Sequence, residues 1–375
     1  MRRITFPLYA GGFLGPFGGA MLVAVIPNVA DGLDASLAQV AAAITAYMVP
    51  FALLQLVSGT LAERLGPRRV VRGGYIGFGV AALACAFAPD IWSFLAARAA
   101  MGASNAFLSP ILLAALSEVA APDVLGRTVG TFAAAQTAGL MLAPIIGGLL
   151  GEISWRLGFV LVAVVSVVLA LPRQSLGAAE RQTGSNGRAS LRALLNRWIA
   201  LLATQAALGY LGFTAIGFVL VLVGAEEFDL GSGARGLLIA GYGVGGILLG
   251  RYAGSVVDRA GRPATALGGA IACTAGVVGL VFAPGPWSLG LVFFGVGCAS
   301  TFVWAGLNTI AVESFPENRA GATSAYSAFK FAGVAIAPLI YVPLFHVDPR
   351  LPFVLAAGFS ALLAVLVLPW FRRYA

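Results

Sequence analysis

Gly59-Thr60-Leu61-Ala62-Glu63-Arg64-Leu65-Gly66-Pro67-Arg68-Arg69 is a charged, glycine-punctuated turn between two long apolar segments. A weaker copy, Gly254-Ser255-Val256-Val257-Asp258-Arg259-Ala260-Gly261-Arg262, follows at an offset of 195 residues, about half the chain. Two basic turns at equivalent places predict a molecule built twice. The pairing extends beyond the turns. Gly102 matches Gly297 and Glu118 matches Glu313 at the same offset of 195, and Gly139, Ala143 and Pro144 match Gly333, Ala337 and Pro338 at 194.

The apolar segments around the turns fill nearly the whole chain. Its 375 residues are 59% hydrophobic and only 10% charged, against about 25% charged in a soluble domain. So few charges do not cover a globular surface, but hydrocarbon about 30 Å thick asks only for helices of about 20 apolar residues. Backbone polar groups in lipid must be satisfied within the segment, and the runs are too long for barrel strands. The composition therefore predicts an all-α, multi-pass membrane protein. The net charge of +8 does not point to nucleic acid, because the arginines sit between the apolar runs. Met1-Arg2-Arg3-Ile4 leads into an apolar run without a small-residue cleavage site, which reads as an uncleaved anchor. Cys85, Cys273 and Cys298 fall inside apolar runs, without metal-ligand spacing, and read as packing residues.

Breaks at charges and turn residues give twelve spans, near 6–27, 37–60, 70–88, 92–117, 128–150, 156–172, 198–223, 234–255, 264–283, 288–311, 320–344 and 351–370. The arginines fall almost wholly on one side of this scheme, which places both termini in the cytoplasm. The segment 173–197 is rich in Gly, Ser, Asn and Arg and reads as a flexible cytoplasmic linker, with a short surface helix over 191–195 as an option. It divides an N-terminal six-helix bundle, 1–172, from a C-terminal one, 198–375. An even number of spans per unit makes the halves parallel repeats, the symmetry on which alternating access by rocking is built.

These motifs resemble the major facilitator superfamily along essentially the whole chain. Gly59–Arg69 is similar to the family's loop between spans two and three, with Glu63 in place of the usual Asp and Pro67 at a usually basic position. Arg98-Ala99-Ala100-Met101-Gly102 resembles the Arg-x-x-Gln-Gly motif of span four, with Met101 for Gln. Gly139-x-x-x-Ala143-Pro144-x-x-Gly147-Gly148 is close to the span-five motif of the family's antiporters, and Trp155-Arg156-x-x-Phe159 matches the usual start of span six. The resemblance implies secondary transport without enzymatic chemistry, and leaves the substrate open. It also implies that Gly59, Glu63, Arg64, Gly66 and Arg68 form a latch that favours closure on the inside. Glu63 would meet the start of span eleven, Arg64 and Arg68 would meet acids such as Glu118, and Asp258 and Arg259 would be a weaker second copy. The plainer reading is that these arginines only set topology. Pro144 among its glycines permits a gating bend, or simply close packing of small residues. The glycines of span one, and Gly209, Gly212 and Gly217 of span seven, mark either a substrate pathway or close helix packing.

Two charges fall well inside spans, Arg98 and Lys330, and Lys330 is the only lysine in the chain. Lys330 lies eleven residues past Arg319, about 16 Å along a helix. A cation at that depth costs at least about 2.5–3.5 kcal/mol and requires a partner or a role. Gln136 occupies the matching place in the first half, at offset 194. Helical spacing puts Arg98, Gly102 and Asn105 on one face, Thr323, Ser327 and Lys330 on another, and Thr301, Trp304 and Asn308 on a third. With Gln205 and Tyr242 these faces are candidates to line a substrate cavity. The competing readings are an Arg98 bonded to carbonyls of span one, a Lys330 with a hidden partner, and helix-to-helix hydrogen bonding by Asn308, Gln136 and Gln205. All fifteen acids lie at span ends or in loops. The cavity then favours anionic or neutral solutes, and proton coupling would fall to Lys330, Glu63 or Glu118. The sequence thus predicts proton-linked export of a small amphiphilic or anionic organic molecule across the cell's inner (plasma) membrane by a monomer, with no cofactor or metal. Uptake or exchange of a carboxylate-like anion, and a non-transporting membrane sensor, are the alternatives.

Overall fold

The computed structural model describes residues 2–119, 125–171, 196–313 and 319–374, and every regular element among them is helical. The linker 173–197 lies outside the described residues except for its last two. The chain separates into two compact units, Met1–Ser185 with Gly231–Gly236, and Asn186–Leu230 with Leu237–Ala375. The helices are α1 (Arg2–Ala20), α2 (Ile26–Gly32), α3 (Leu37–Leu65), α4 (Pro67–Ala86), α5 (Ile91–Asn105), α6 (Ser109–Val119), α7 (Leu125–Gly151), α8 (Arg156–Ala170), α9 (Arg197–Gly209), α10 (Gly217–Glu226), α11 (Ser232–Ala260), α12 (Arg262–Val281), α13 (Pro286–Glu313), α14 (Arg319–Val347) and α15 (Leu351–Tyr374). A short 3-10 turn, Val23–Val25, joins α1 to α2, and a π-helical turn, Tyr210–Thr214, joins α9 to α10.

Nine stretches among the described residues are long and apolar enough to cross a membrane. They coincide with nine of the twelve expected spans. The other three are 70–88, where α4 opens on Arg68, Arg69 and Arg72, 92–117, which is divided between α5 and α6, and 156–172, where α8 has only 15 residues.

The opening stretch is more helical than its composition suggests. α3 runs through Gly59 to Leu65, and α4 starts at Pro67. The reversal is confined to Gly66, whose φ of +88° is a left-handed value that a side chain would strain. Pro67 then begins α4, where its missing N–H costs nothing. The second copy is built alike, with Gly261 at φ +87° and Pro263 in the first turn of α12. A match absent from the sequence reading is Asp34 with Asp229, both at φ +48° and 195 residues apart.

Within each unit the same contacts recur. A Cβ built on Gly102 of α5 would stand 2.0 Å from the Tyr47 carbonyl oxygen of α3, and one on Gly297 of α13 would stand 2.1 Å from that of Tyr242 on α11. A Cβ on Gly139 of α7 meets the Phe13 oxygen of α1 at 2.2 Å, and one on Gly333 of α14 meets the Ala207 oxygen of α9 at 2.9 Å. Every partner is displaced by the same 195 or 194 residues as its glycine. Bare Cα atoms let helix backbones touch, the packing that membranes favour where lipid gives no hydrophobic drive for helices to associate.

The aromatic residues sort the same way. Phe94, Trp155 and Phe159 pack edge to face inside the first unit, with centroids 5.5–6.1 Å apart. Phe87 and Trp92 of the first unit, and their counterparts Phe282 and Trp287, are 70–91% exposed. Such aromatics at helix ends suit a membrane–water interface. Asp90, between Phe87 and Trp92, caps α5. Its carboxylate accepts from the backbone N–H groups of Ser93 and Trp92, which hold it below its ordinary range.

Substituting leucine for Gly102 or Gly297 should lower the melting midpoint in detergent, since overpacking costs about 1–3 kcal/mol. Gly268→Ala, whose Cβ meets nothing within 4 Å, should leave it unchanged or slightly higher. An unaltered midpoint in the leucine variants removes these contacts from the framework.

Candidate functional site

Lys330 projects from α14 into a ring of aromatic side chains, all within the second unit. Its Nζ lies 4.9 Å from the ring centroid of Trp304 on α13, 4.9 Å from that of Tyr326 one turn back on α14, and 5.7 Å from that of Tyr210. The ammonium is half-buried, and no carboxylate among the described residues pairs with it. Aromatic faces are electron-rich, and a desolvated cation over such a face gains about 2 kcal/mol. The rings thus offset part of the cost of the charge without neutralising it. The cage therefore keeps a positive charge available to an anion and flat apolar surface beside it.

Local chain geometry sets the cage. Tyr210 opens the π-helical turn, in which the Ala215 amide donates to the Tyr210 carbonyl at 2.7 Å, one residue further than in an α-helix. Gly209 clears room for Trp304, whose ring end would lie 2.8 Å from a Cβ there. Trp304 packs against Tyr210 at 5.2 Å and Phe213 at 5.6 Å between centroids. The Tyr341 hydroxyl donates to the Leu211 carbonyl inside the widened turn. Such turns are frequent at functional sites. The Tyr326 hydroxyl is buried with no hydrogen-bond partner, a group that a ligand could satisfy.

Of the sequence candidates, Lys330 and Trp304 meet directly. Tyr242 joins them from α11: its hydroxyl lies 2.9 Å from that of Thr214 and beside Ser300 and Trp304. Asn308 is exposed on α13 beyond Trp304. Gln205 points elsewhere. Its amide donates to the Leu366 carbonyl at 2.7 Å and accepts from the Trp370 indole at 3.1 Å, so both ends tie α9 to α15. The side chains of Thr323 and Ser327 lie outside the described ones. Tyr210 and Tyr326 were not among the candidates. Tyr326 stands four residues before Lys330 on one helix face, and Tyr210 sits among the glycines of span seven, so the signals were present.

The first unit holds a closed polar cluster instead. Arg98 is fully buried, and its Nη1 and Nη2 donate to the carbonyls of Gly18 and Gly19, each at 3.1 Å. Those are last-turn carbonyls of α1, which have no helical partner and form the negative end of the helix dipole. The guanidinium also stacks 4.5 Å from the Tyr47 ring, and the Tyr47 hydroxyl donates to the Gly15 carbonyl at 3.4 Å. Asn105 is buried beside Tyr47, and a Cβ on Gly15 would fall 2.4 Å from its Oδ1. This geometry is that of an arginine bonded to span one. Gln136 is half-buried on α7.

Among the gating candidates, Arg64, Arg68, Asp258 and Arg259 are exposed at the ends of α3, α4 and α11, and Pro144 is buried within an unbroken α7. The contacts expected of Gly59, Glu63 and Glu118 fall on side chains outside the described ones. An ion pair not anticipated joins Arg262 to Glu313 through two hydrogen bonds of 2.8 and 3.0 Å. It is solvent-exposed, and such pairs contribute about 0–1 kcal/mol.

Repeated helical units, membrane-crossing stretches and a cation held in an apolar bundle define a polytopic membrane transporter as the class. Residues 8–338 and 202–375 match the family model described as Major Facilitator Superfamily, and the chain belongs to that family, whose members transport solutes rather than catalyse reactions. It is 24% identical to the quinolone resistance protein NorA of Staphylococcus aureus, over 98% of this chain and 96% of that protein. It is 33% identical to a multidrug resistance protein B homolog of Mycobacterium tuberculosis over 150 residues, a match spanning 38% of this chain and only 28% of that relative. Among solved structures it resembles a mutant of the nucleoside transporter NupG, with a TM-score of 0.78, 15% identity and coverage of 98% of this chain and 100% of that one. The xylose transporter XylE from E. coli gives a TM-score of 0.73 at 14% identity, covering 98% and 96%. These likenesses show the fold.

Lys330→Gln should leave the melting midpoint close to that of the parent, because no ion pair with a described residue is broken. It should weaken binding of an aromatic carboxylate such as naphthoate by roughly 10- to 150-fold, the equivalent of about 1.5–3 kcal/mol for a hydrogen bond to a charged group. A lowered midpoint with unaltered naphthoate affinity would make Lys330 a structural residue.

Proposed function

We propose that the protein exports small amphiphilic or anionic organic molecules across the cell's inner membrane in exchange for protons. In this reading twelve spans form two six-helix bundles, 1–172 and 198–375, joined by the cytoplasmic linker 173–197. Both termini are cytoplasmic, the protein works as a monomer, and the bundles alternate access to one substrate. The observation that carries the substrate class is the Lys330 cage, where a half-buried ammonium is held by Trp304, Tyr326 and Tyr210 and by no carboxylate among the described residues. An anionic group would meet the ammonium while an aromatic or aliphatic body lies along the rings. The resistance proteins of Staphylococcus and Mycobacterium among its relatives support export of foreign organic compounds. Arg98 orients span one, and the basic helix ends around Arg64, Arg68, Asp258 and Arg259 act as the latch, together with Glu63.

Transport into proteoliposomes of a fluorescent aromatic carboxylate and its neutral ester tests this reading. With an acidic interior the carboxylate should accumulate, a protonophore should abolish the accumulation, and Lys330→Gln should reduce it at least about tenfold. Flux that ignores the pH gradient and membrane potential but requires an anion on the opposite side would replace antiport with anion exchange.

A further inference from the structure

At one end of the second unit a groove of about 810 Å³ opens between the start of α9 and the end of α15, lined by Arg197, Trp198, Leu201, Leu368, Arg372 and Arg373 among others. It is separate from the Lys330 cage in composition and in the elements that form it. Its two walls differ in chemistry. One is apolar and outward-facing, with Val365 58% and Leu368 51% exposed. The other is a cluster of guanidinium groups on an aromatic base. Arg373 lies 4.9 Å from the Trp198 ring and 5.5 Å from the Trp370 ring, and Arg197 lies 5.6 Å from Trp198.

The base is held in place from within. Trp198 and Trp370 pack with centroids 5.0 Å apart, and the Trp370 indole donates to Gln205, which in turn donates to the Leu366 carbonyl. The positive end of the α9 dipole adds to the same potential, because α9 begins at Arg197 behind its Asn196 cap. No carboxylate among the described residues pairs with Arg197 or Arg372. The groove thus joins a strong positive field, which attracts anions, to an apolar trough between two membrane-crossing helices.

We infer that this groove binds an anionic glycerophospholipid, its phosphate on Arg197, Arg372 and Arg373 and an acyl chain along Leu201, Val365 and Leu368. A free phosphate would use the arginines and leave the trough empty. A zwitterionic lipid would fill the trough and place a cation beside three others. Only an anionic lipid complements both walls. Basic pockets between membrane helices are a recognised setting for such headgroups. The bound lipid would bridge the first helix of span seven and the last helix of the chain, and so brace the Gln205–Trp370 tie beneath it.

Native mass spectrometry of the purified full chain, titrated with phosphatidylglycerol or phosphatidylcholine of equal acyl length, tests the site. Phosphatidylglycerol should be retained in clear preference. Arg372→Gln should weaken its retention roughly fivefold, and the combined Arg197→Gln, Arg372→Gln and Arg373→Gln variant on the order of a hundredfold, following the effect of one basic residue near a lipid surface. Phosphatidylcholine retention should not change, and millimolar inorganic phosphate should not displace the lipid. Equal retention of the two lipids, or displacement by inorganic phosphate, overturns the assignment. Should the triple variant fail to fold, undiminished phosphatidylglycerol retention by Arg372→Gln alone overturns it as well.

Discussion

The architecture depends on helix backbones that touch. In lipid, apolar side chains gain little by leaving one hydrocarbon for another, so helices associate through close packing and polar contacts. Gly102 against Tyr47 and Gly139 against Phe13 set the first unit, and Gly297 against Tyr242 and Gly333 against Ala207 set the second. Each contact brings a carbonyl oxygen to a bare Cα, and no larger residue fits there. The polar groups are positioned by this contact. Tyr47, whose backbone meets Gly102, also supplies the ring under Arg98, and Tyr242, whose backbone meets Gly297, reaches Thr214 and Trp304.

Two units with a common frame have diverged in polar content. In the first, the buried cation is spent on the broken end of α1, where the Gly18 and Gly19 carbonyls need donors. In the second, the cation lies over aromatic rings, is half-buried, and pairs with no carboxylate among the described residues. One arrangement fixes a helix end and the other retains an unspent charge. Lys330 stands where Gln136 stands in the first unit, and Phe293 stands where Arg98 stands.

Much of this was legible in the sequence because the signals were local or periodic. The apolar runs, the two basic turns and the offsets of 195 and 194 gave the helical repeats and the family. Lys330 was visible as a lone cation deep in a span, and Trp304 by its spacing. What could not be read depended on contacts across helices. Gln205 had the composition of a ligand residue, but its partners, Leu366 and Trp370, lie some 160 residues away. Arg98 allowed two readings until the end of α1 was placed at Ala20. Dense charges give Gly59–Arg69 the composition of a long turn, whereas helical order persists to Leu65 and a single glycine makes the reversal.

The π-helical turn has a meaning in the bookkeeping of the two halves. Phe13 and Ala207 correspond at 194 residues, yet Asp34 and Asp229, sharing an unusual φ of +48°, correspond at 195. Between those landmarks the second half carries one residue more than the first, and Tyr210–Thr214 is where the helix absorbs it. An extra residue in a regular α-helix would rotate everything beyond it by about 100°. Stored as a local bulge, it leaves α10 in phase with its bundle and gives Tyr210 its place beside Lys330. The one-residue difference between the halves thus falls on the turn that sets Tyr210 against Lys330.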